Sequence, residues 1–81
     1  LKVYPNPANS VLNIQLDMAV AEQVNIEIVN LLGKTVEKVQ ISTNSGQNNL
    51  ELNVSNLAAG VYQLNAIING KRATTTLVVE K

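Results

Sequence analysis

Apolar and polar side chains alternate along most of this 81-residue chain, and this period of two limits the fold more strongly than any other feature. In the first clear example, Leu12, Ile14 and Leu16 are separated by Asn13 and Gln15. The same alternation recurs over residues 24–28, 50–54 and 62–68. Successive side chains of a β-strand point to opposite faces, so each segment is predicted to be a half-buried strand.

Short turn signals separate the predicted strands. Gly33 is expected at a left-handed position in one hairpin connection, and Asn69-Gly70 is a strong signal for a two-residue hairpin. Thr35–Ile41 is predicted to be the strand that returns from this turn. Within it, the alternation would place Val36 on the opposite face from Val39 and Ile41. A β-bulge would reconcile the two parts of that strand.

The segment Val54–Tyr62 predicts a tyrosine corner that leads into a strand. Ser55 can begin a turn by bonding to nearby backbone, and Leu57 supplies an apolar anchor. Gly60 is expected at a positive φ, which other residues adopt only with strain. The Tyr62 hydroxyl is then expected to bond to backbone a few residues upstream, as in Greek-key sandwiches.

The N-terminal motif Tyr4-Pro5-Asn6-Pro7 predicts an edge strand that ends in a turn, because each proline fixes φ and lacks an N–H donor. With Thr74–Val79 as the last strand, about seven short strands are expected, which is typical of an all-β, Ig-like Greek-key β-sandwich. The whole chain, residues 1–81, is predicted to be a single domain. A small barrel is the alternative architecture, and only Met18–Gln23 has a short helix as its alternative.

The composition argues against catalysis. The chain has no His and no Cys, and 6 Lys+Arg balance 6 Asp+Glu. It therefore lacks the usual general base, a thiol nucleophile and thiolate zinc ligands, so no enzyme, metal site or cofactor is expected. Glu27 and Glu51 are predicted on solvated outer faces of strands. The balanced charge argues against a nucleic-acid partner, and no apolar run is long enough for a membrane span.

Four segments resemble one protein family, in the same order along the chain. Tyr4–Leu12 resembles the opening "YPNPasd-L" of the C-terminal sorting domains of the Bacteroidetes type IX (Por) secretion system. Val24–Lys34, followed by Val36, is similar to the family's "v-v-i-dl-G-k-V" segment, and Ser55–Tyr62 to its "lsLasGvY" signature. Thr76–Lys81 resembles the family's apolar tail ending in lysine.

The resemblance implies that the domain is a sorting signal for secretion. It implies an N-terminal cargo fused covalently to this domain, a type IX translocon that reads the domain, and a sortase-like cysteine protease that removes it. The cargo would cross the periplasm and reach the outer membrane, the cell surface or the medium. Because the chain starts at Leu1 and not at Met, it is expected to be a fragment of a longer protein, and the cleavage site is expected upstream of Leu1. Two positions depart from the family pattern: Asn30 stands where Asp is common, and Glu80 lies in a tail that is often more basic.

Recognition is expected at one end of a sheet, where an edge strand offers unpaired backbone groups. An ordinary core strand is the alternative for Thr74–Val79. The candidate recognition residues are Gly70, Lys71, Arg72, Thr74, Thr75, Thr76, Leu77, Val78, Val79 and Lys81. The residues expected to serve the scaffold are Tyr4, Pro5, Asn6, Pro7, Gly33, Leu57, Gly60 and Tyr62. The alternative function is an Ig-like or fibronectin-like accessory binding module of a secreted surface enzyme.

Overall fold

Strands account for every regular element of the computed structural model, which describes the whole chain, Leu1–Lys81. They are β1 Lys2–Tyr4, β2 Val11–Met18, β3 Gln23–Val29, β4 Thr35–Ser42, β5 Gly46–Asn53, β6 Gly60–Ile68 and β7 Lys71–Val79. They form an antiparallel three-stranded sheet, β1-β2-β5, and an antiparallel four-stranded sheet, β4-β3-β6-β7. The all-β sandwich that the alternation predicts is confirmed.

The connections cross between the sheets, as they do in Greek-key sandwiches. The consecutive strands β2 and β3 lie in opposite sheets, and β2 pairs with β5 while β3 pairs with β6. Strand β4 pairs with β3, whereas the fourth strand of a constant-type Ig domain lies at the edge of the other sheet. As a result β4 and β5 form the edges on one side of the sandwich, and β1 and β7 form the edges on the other.

One hydrophobic core lies between the sheets. Its buried residues are Ala8, Leu12, Ile14, Leu16, Met18, Val24, Ile26, Ile28, Val54, Leu57, Tyr62, Leu64, Ala66, Leu77 and Val79. The core is built by alternate residues of β2, β3, β6 and β7, because a strand buries only one of its two faces. No buried side-chain nitrogen or oxygen lacks a hydrogen-bond partner.

The predicted turn geometry is largely present. Gly33 has a φ of 84°, and the β6–β7 hairpin turns through Asn69 at 51° and Gly70 at 79°. Positive φ at both central residues fits the type I′ turn that suits the twist of a hairpin. The register of β3 against β4 shifts beside Val36, which is the extra residue of the expected bulge.

One local expectation is wrong, and one local alternative does not occur. Gly60 does not adopt a positive φ, so it is not the left-handed residue of the corner. Met18–Gln23 forms no helix, because β2 continues through Met18 and β3 begins at Gln23. The short loop between them is held by Thr43, whose buried hydroxyl donates to the Glu22 carbonyl at 2.8 Å and accepts from the Glu22 N–H at 3.2 Å.

The tyrosine corner is confirmed. The Tyr62 hydroxyl donates to the carbonyl of Ala58, four residues upstream, at 2.5 Å, and the Tyr62 side chain is 8% exposed. Leu57 is buried beneath the corner, and its N–H donates to the Val54 carbonyl at 3.0 Å. These contacts fix how the chain passes from β5 in one sheet to β6 in the other.

Candidate recognition surface

The candidate recognition residues of the sequence lie on one edge of the sandwich. Strand β7 is the outer strand of the four-stranded sheet, as predicted, and pairs along its length with β6 only. Gly70 lies in the turn that joins the two strands, and Lys71 and Arg72 are the first exposed residues of β7. Lys81 lies beyond the other end of the strand.

The two faces of β7 have different roles. Leu77 and Val79 are no more than 1% exposed and belong to the core, so their side chains are closed to a partner. The exposed residues Arg72, Thr74 and Thr76 lie on the outer face. The Thr74 hydroxyl donates at 2.8 Å to the side chain of Asn65 on β6, which fixes the middle of this face.

The C-terminal half of the β7 edge is already occupied by the segment Asn6–Ala8. The Asn6 amide donates to the Thr76 carbonyl at 3.0 Å and its oxygen accepts from the Val78 N–H at 3.0 Å. Ala8 continues this pairing: its N–H donates to the Val78 carbonyl at 2.8 Å. The Ala8 carbonyl then accepts from the N–H of Glu80 at 2.9 Å. The segment Asn6–Ala8 thus covers the end of the last strand.

The N-terminal half of the same edge is free. In an antiparallel strand, the N–H and C=O groups of alternate residues point to the same side. Because the backbone groups of Val78 point away from β6, those of Arg72 and Thr74 do so too. They make no backbone hydrogen bond and are free in that sense, although strand β1 of the other sheet contacts β7. Unpaired groups are therefore available on β7 between Arg72 and Thr76.

Lys81 is bound to its own domain. Its ammonium group donates to the carbonyls of Asn9 at 3.0 Å, Ser55 at 2.8 Å and Val54 at 3.4 Å. Three carbonyls from two separate connections therefore surround one cation. This arrangement joins the C-terminus to the β1–β2 connection and to the tyrosine corner, so Lys81 has a structural contact that the sequence did not predict.

An exposed apolar surface was missed in the sequence. Leu31 is 82% exposed and Leu32 is 93% exposed in the β3–β4 hairpin. The sequence contains a sign of this surface. Two adjacent leucines before a turn glycine cannot both follow the period of two, so at least one of them must point away from the core. A groove of about 360 Å³ runs from Leu31 across the outer face of the sheet, past Val61, to Thr76 on β7.

The connections divide into two groups at opposite ends of the sandwich. At the first end, here called the corner end, lie residues 5–10, 30–34, 54–59 and 80–81. At the other, here called the hairpin end, lie residues 19–22, 43–45 and 69–70. Strand β1 runs toward the corner end, so a chain that enters at Leu1 comes from the direction of the hairpin end.

This arrangement offers surfaces for binding. No group of three or more His, Cys, Asp or Glu side chains comes close enough together to hold a metal ion. The structure has no helix with the length and apolar character needed to cross a bilayer. The fold defines the class: a small Ig-like antiparallel sandwich with a tyrosine corner, whose last strand, β7, is an edge that is covered only in part.

A family model for secretion system C-terminal sorting domains matches residues 2–80. The chain therefore belongs to this family, the sorting domains of type IX secretion, and the resemblance drawn from its motifs is confirmed. Domains of this family are C-terminal sorting signals that direct secretion to the cell surface or the extracellular space. Among curated proteins, none matches this chain.

Proposed function

We propose that the folded domain is read by the type IX translocon through the free part of β7, from the turn at Gly70 to Thr76. Family membership supports the sorting function. The observation that supports this site is the exposed edge between Arg72 and Thr76, beside a C-terminal half that Asn6 and Ala8 already cover.

Strand addition is the mode of binding that this edge suits. An extended segment of the translocon would pair with the outward N–H and C=O groups of Arg72 and Thr74, and the outer-face side chains would give specificity. Lys71 and Arg72 provide the positive charge at the start of the edge. The cover formed by Asn6–Ala8 limits the added strand to a few residues, so we expect a contact that is specific and reversible.

The remaining steps of the proposal follow the family. A cargo domain fused upstream of Leu1 would travel through the periplasm to the outer membrane, and a sortase-like cysteine protease would release it from this domain. Because β1 enters from the hairpin end, the cargo would lie at that end of the sandwich. The corner end would then point away from the cargo.

An accessory binding module is the competing function. Modules that bind sugars stack rings on exposed aromatic side chains. Of the two tyrosines here, Tyr62 is buried and bonded in the corner, which leaves Tyr4 alone, 40% exposed and with Lys2 over its ring. No aromatic platform supports this second function.

The test uses a periplasmic reporter that carries residues 1–81 at its C-terminus, expressed in a host with a working type IX system. Thr74→Pro removes one outward N–H from the free edge, and proline is tolerated on an edge strand where the N–H faces solvent. Thr74→Val is the matched control, because it also loses the bond to Asn65 but keeps the N–H. We expect the proline variant to be exported about tenfold less than the valine variant, equivalent to about 1.4 kcal/mol.

A second pair of variants tests the same edge in case Thr74→Pro does not fold. Arg72→Pro blocks the next outward N–H, and Arg72→Ala keeps the N–H while removing the exposed side chain. Melting temperatures of all four fusions establish which of them are folded. Equal export of a folded proline variant and its control would refute strand addition at this edge, and failure to export the unmodified fusion would refute the sorting function.

A further inference from the structure

The two most exposed large apolar side chains of the molecule lie next to each other. Leu31 and Leu32 form the tip of the β3–β4 hairpin, here called the leucine tip, and neither contributes to the core. Val61, 44% exposed, extends the apolar surface onto β6. Single exposed apolar residues are common on proteins, whereas adjoining ones often mark a place where another molecule binds.

The leucine tip is held in a defined shape. The Asn30 side-chain oxygen accepts from the N–H groups of Leu32 and Lys34, both at 3.0 Å. The Asn30 N–H donates to the Lys34 carbonyl at 2.9 Å, and the Gly33 N–H donates to the Asn30 carbonyl at 3.0 Å. A turn closed by these bonds holds the backbone at the leucines in one shape, which lowers the entropic cost of inserting them into a partner.

We propose that the leucine tip is a hydrophobic anchor that enters an apolar pocket of the translocon protein that reads this domain. The inference rests on the proposed function and adds a second contact to it. The groove past Val61 connects the tip with Thr76, so the anchor and the free edge of β7 belong to one continuous outer face. The tip lies at the corner end, away from the side on which the chain enters at Leu1.

The size and charge of the tip favour a protein pocket over other occupants. Two leucine side chains expose on the order of 300 Å², well below the ~800 Å² per partner of a standard interface, so the tip alone is too small to hold a second copy. Lys34 is the only charged residue in the connection between β3 and β4. Stable attachment to a bilayer takes a larger apolar face or several cationic residues, which the tip lacks.

The test compares two surface changes in the same reporter fusion. The double substitution Leu31→Ser and Leu32→Ser removes the anchor, and Val20→Ser is the matched control, a change of an exposed apolar residue at the hairpin end. Because none of these side chains packs in the core, all fusions should keep the melting temperature of the parent within about 3 °C. Export of the double variant should fall about tenfold or more, while the control is exported like the parent.

A conservative variant and two binding measurements separate the possible outcomes. Leu31→Met with Leu32→Met keeps an apolar tip and should restore export. Parent-level export of a folded serine double variant would overturn the anchor while leaving the sorting function intact. A concentration-dependent dimer of the parent fusion that the serine variant abolishes, seen by light scattering, would overturn it in favour of a second copy. Sedimentation of the fusion with anionic or neutral phospholipid vesicles through the same leucines would overturn it in favour of a bilayer.

Discussion

The tyrosine corner gives the most direct test of how this fold is stabilised. Replacing Tyr62 by Phe removes a single oxygen and keeps the buried ring. The lost hydroxyl donates to the Ala58 carbonyl at 2.5 Å, in a partly buried environment. Removing one partner of a buried hydrogen bond costs about 1–3 kcal/mol.

The surroundings of the bond place the expected cost in the lower half of that range. Tyr62 is 8% exposed and belongs to the core, so its ring stays packed when the hydroxyl is lost. Ala58 is exposed, however, so water can reach its carbonyl and replace part of the lost bond. We expect Tyr62→Phe to lower the free energy of unfolding by about 1–2 kcal/mol. For a domain of this size, that lowers the melting temperature by roughly 5–15 °C.

The chain provides its own control. Tyr4, the other tyrosine, is 40% exposed, and its ring faces Lys2, a contact that phenylalanine would keep. Tyr4→Phe should therefore change stability by no more than about 0.5 kcal/mol. Urea unfolding followed by circular dichroism gives both values, provided that the slope of the transition stays unchanged. Equal midpoints for the two variants would refute the assignment of a stabilising role to the corner.

Five further substitutions, at four positions, test other local contacts. Asn6→Ala should lower stability by about 1–2 kcal/mol and speed hydrogen exchange at the Val78 amide, which Asn6 covers; unchanged exchange there would contradict the cover. Gly33→Ala should cost about 1–2 kcal/mol because φ is 84°. Gly60→Ala should cost less than about 0.5 kcal/mol, since the added carbon meets only ordinary contact distance, and thermal unfolding compares the two. Asn30→Asp should keep the stability of the parent, because its side-chain oxygen can still accept from both N–H groups of the turn. Asn30→Ala has no such oxygen and should lower the free energy of unfolding by about 1 kcal/mol. Equal losses of stability in the two variants, measured by urea unfolding, would count against that role.

Features governed by nearby residues could be predicted from the sequence. Alternation predicts the strands, the parity of Val36 predicts the bulge, and Asn69-Gly70 predicts the hairpin, because each depends on a few adjacent residues. The corner also depends on a short span, since Tyr62 bonds to a residue four positions away. The positive φ expected of Gly60 is absent, because a glycine before a strand allows positive φ without requiring it.

The contacts that define the recognition surface depend on residues far apart in the chain. Asn6 covers β7 and Lys81 binds carbonyls of two connections, and neither partner set is visible from local patterns. The sequence correctly placed Thr74–Val79 at an edge, but the division of that edge into free and covered halves needed the pairing with Asn6–Ala8. Asn30, by contrast, makes contacts within its own turn. Its side-chain oxygen accepts from two N–H groups, a role that the Asp common in the family at this position would also fill.

The central claim is that this folded sandwich is itself the sorting signal that the type IX translocon recognises. It is tested most directly by measuring the fraction of a periplasmic reporter that leaves the cell, with and without residues 1–81, in a type IX-competent host and in the same host lacking its translocon. The claim predicts release only when both domain and translocon are present. Equal release after loss of either one would contradict it.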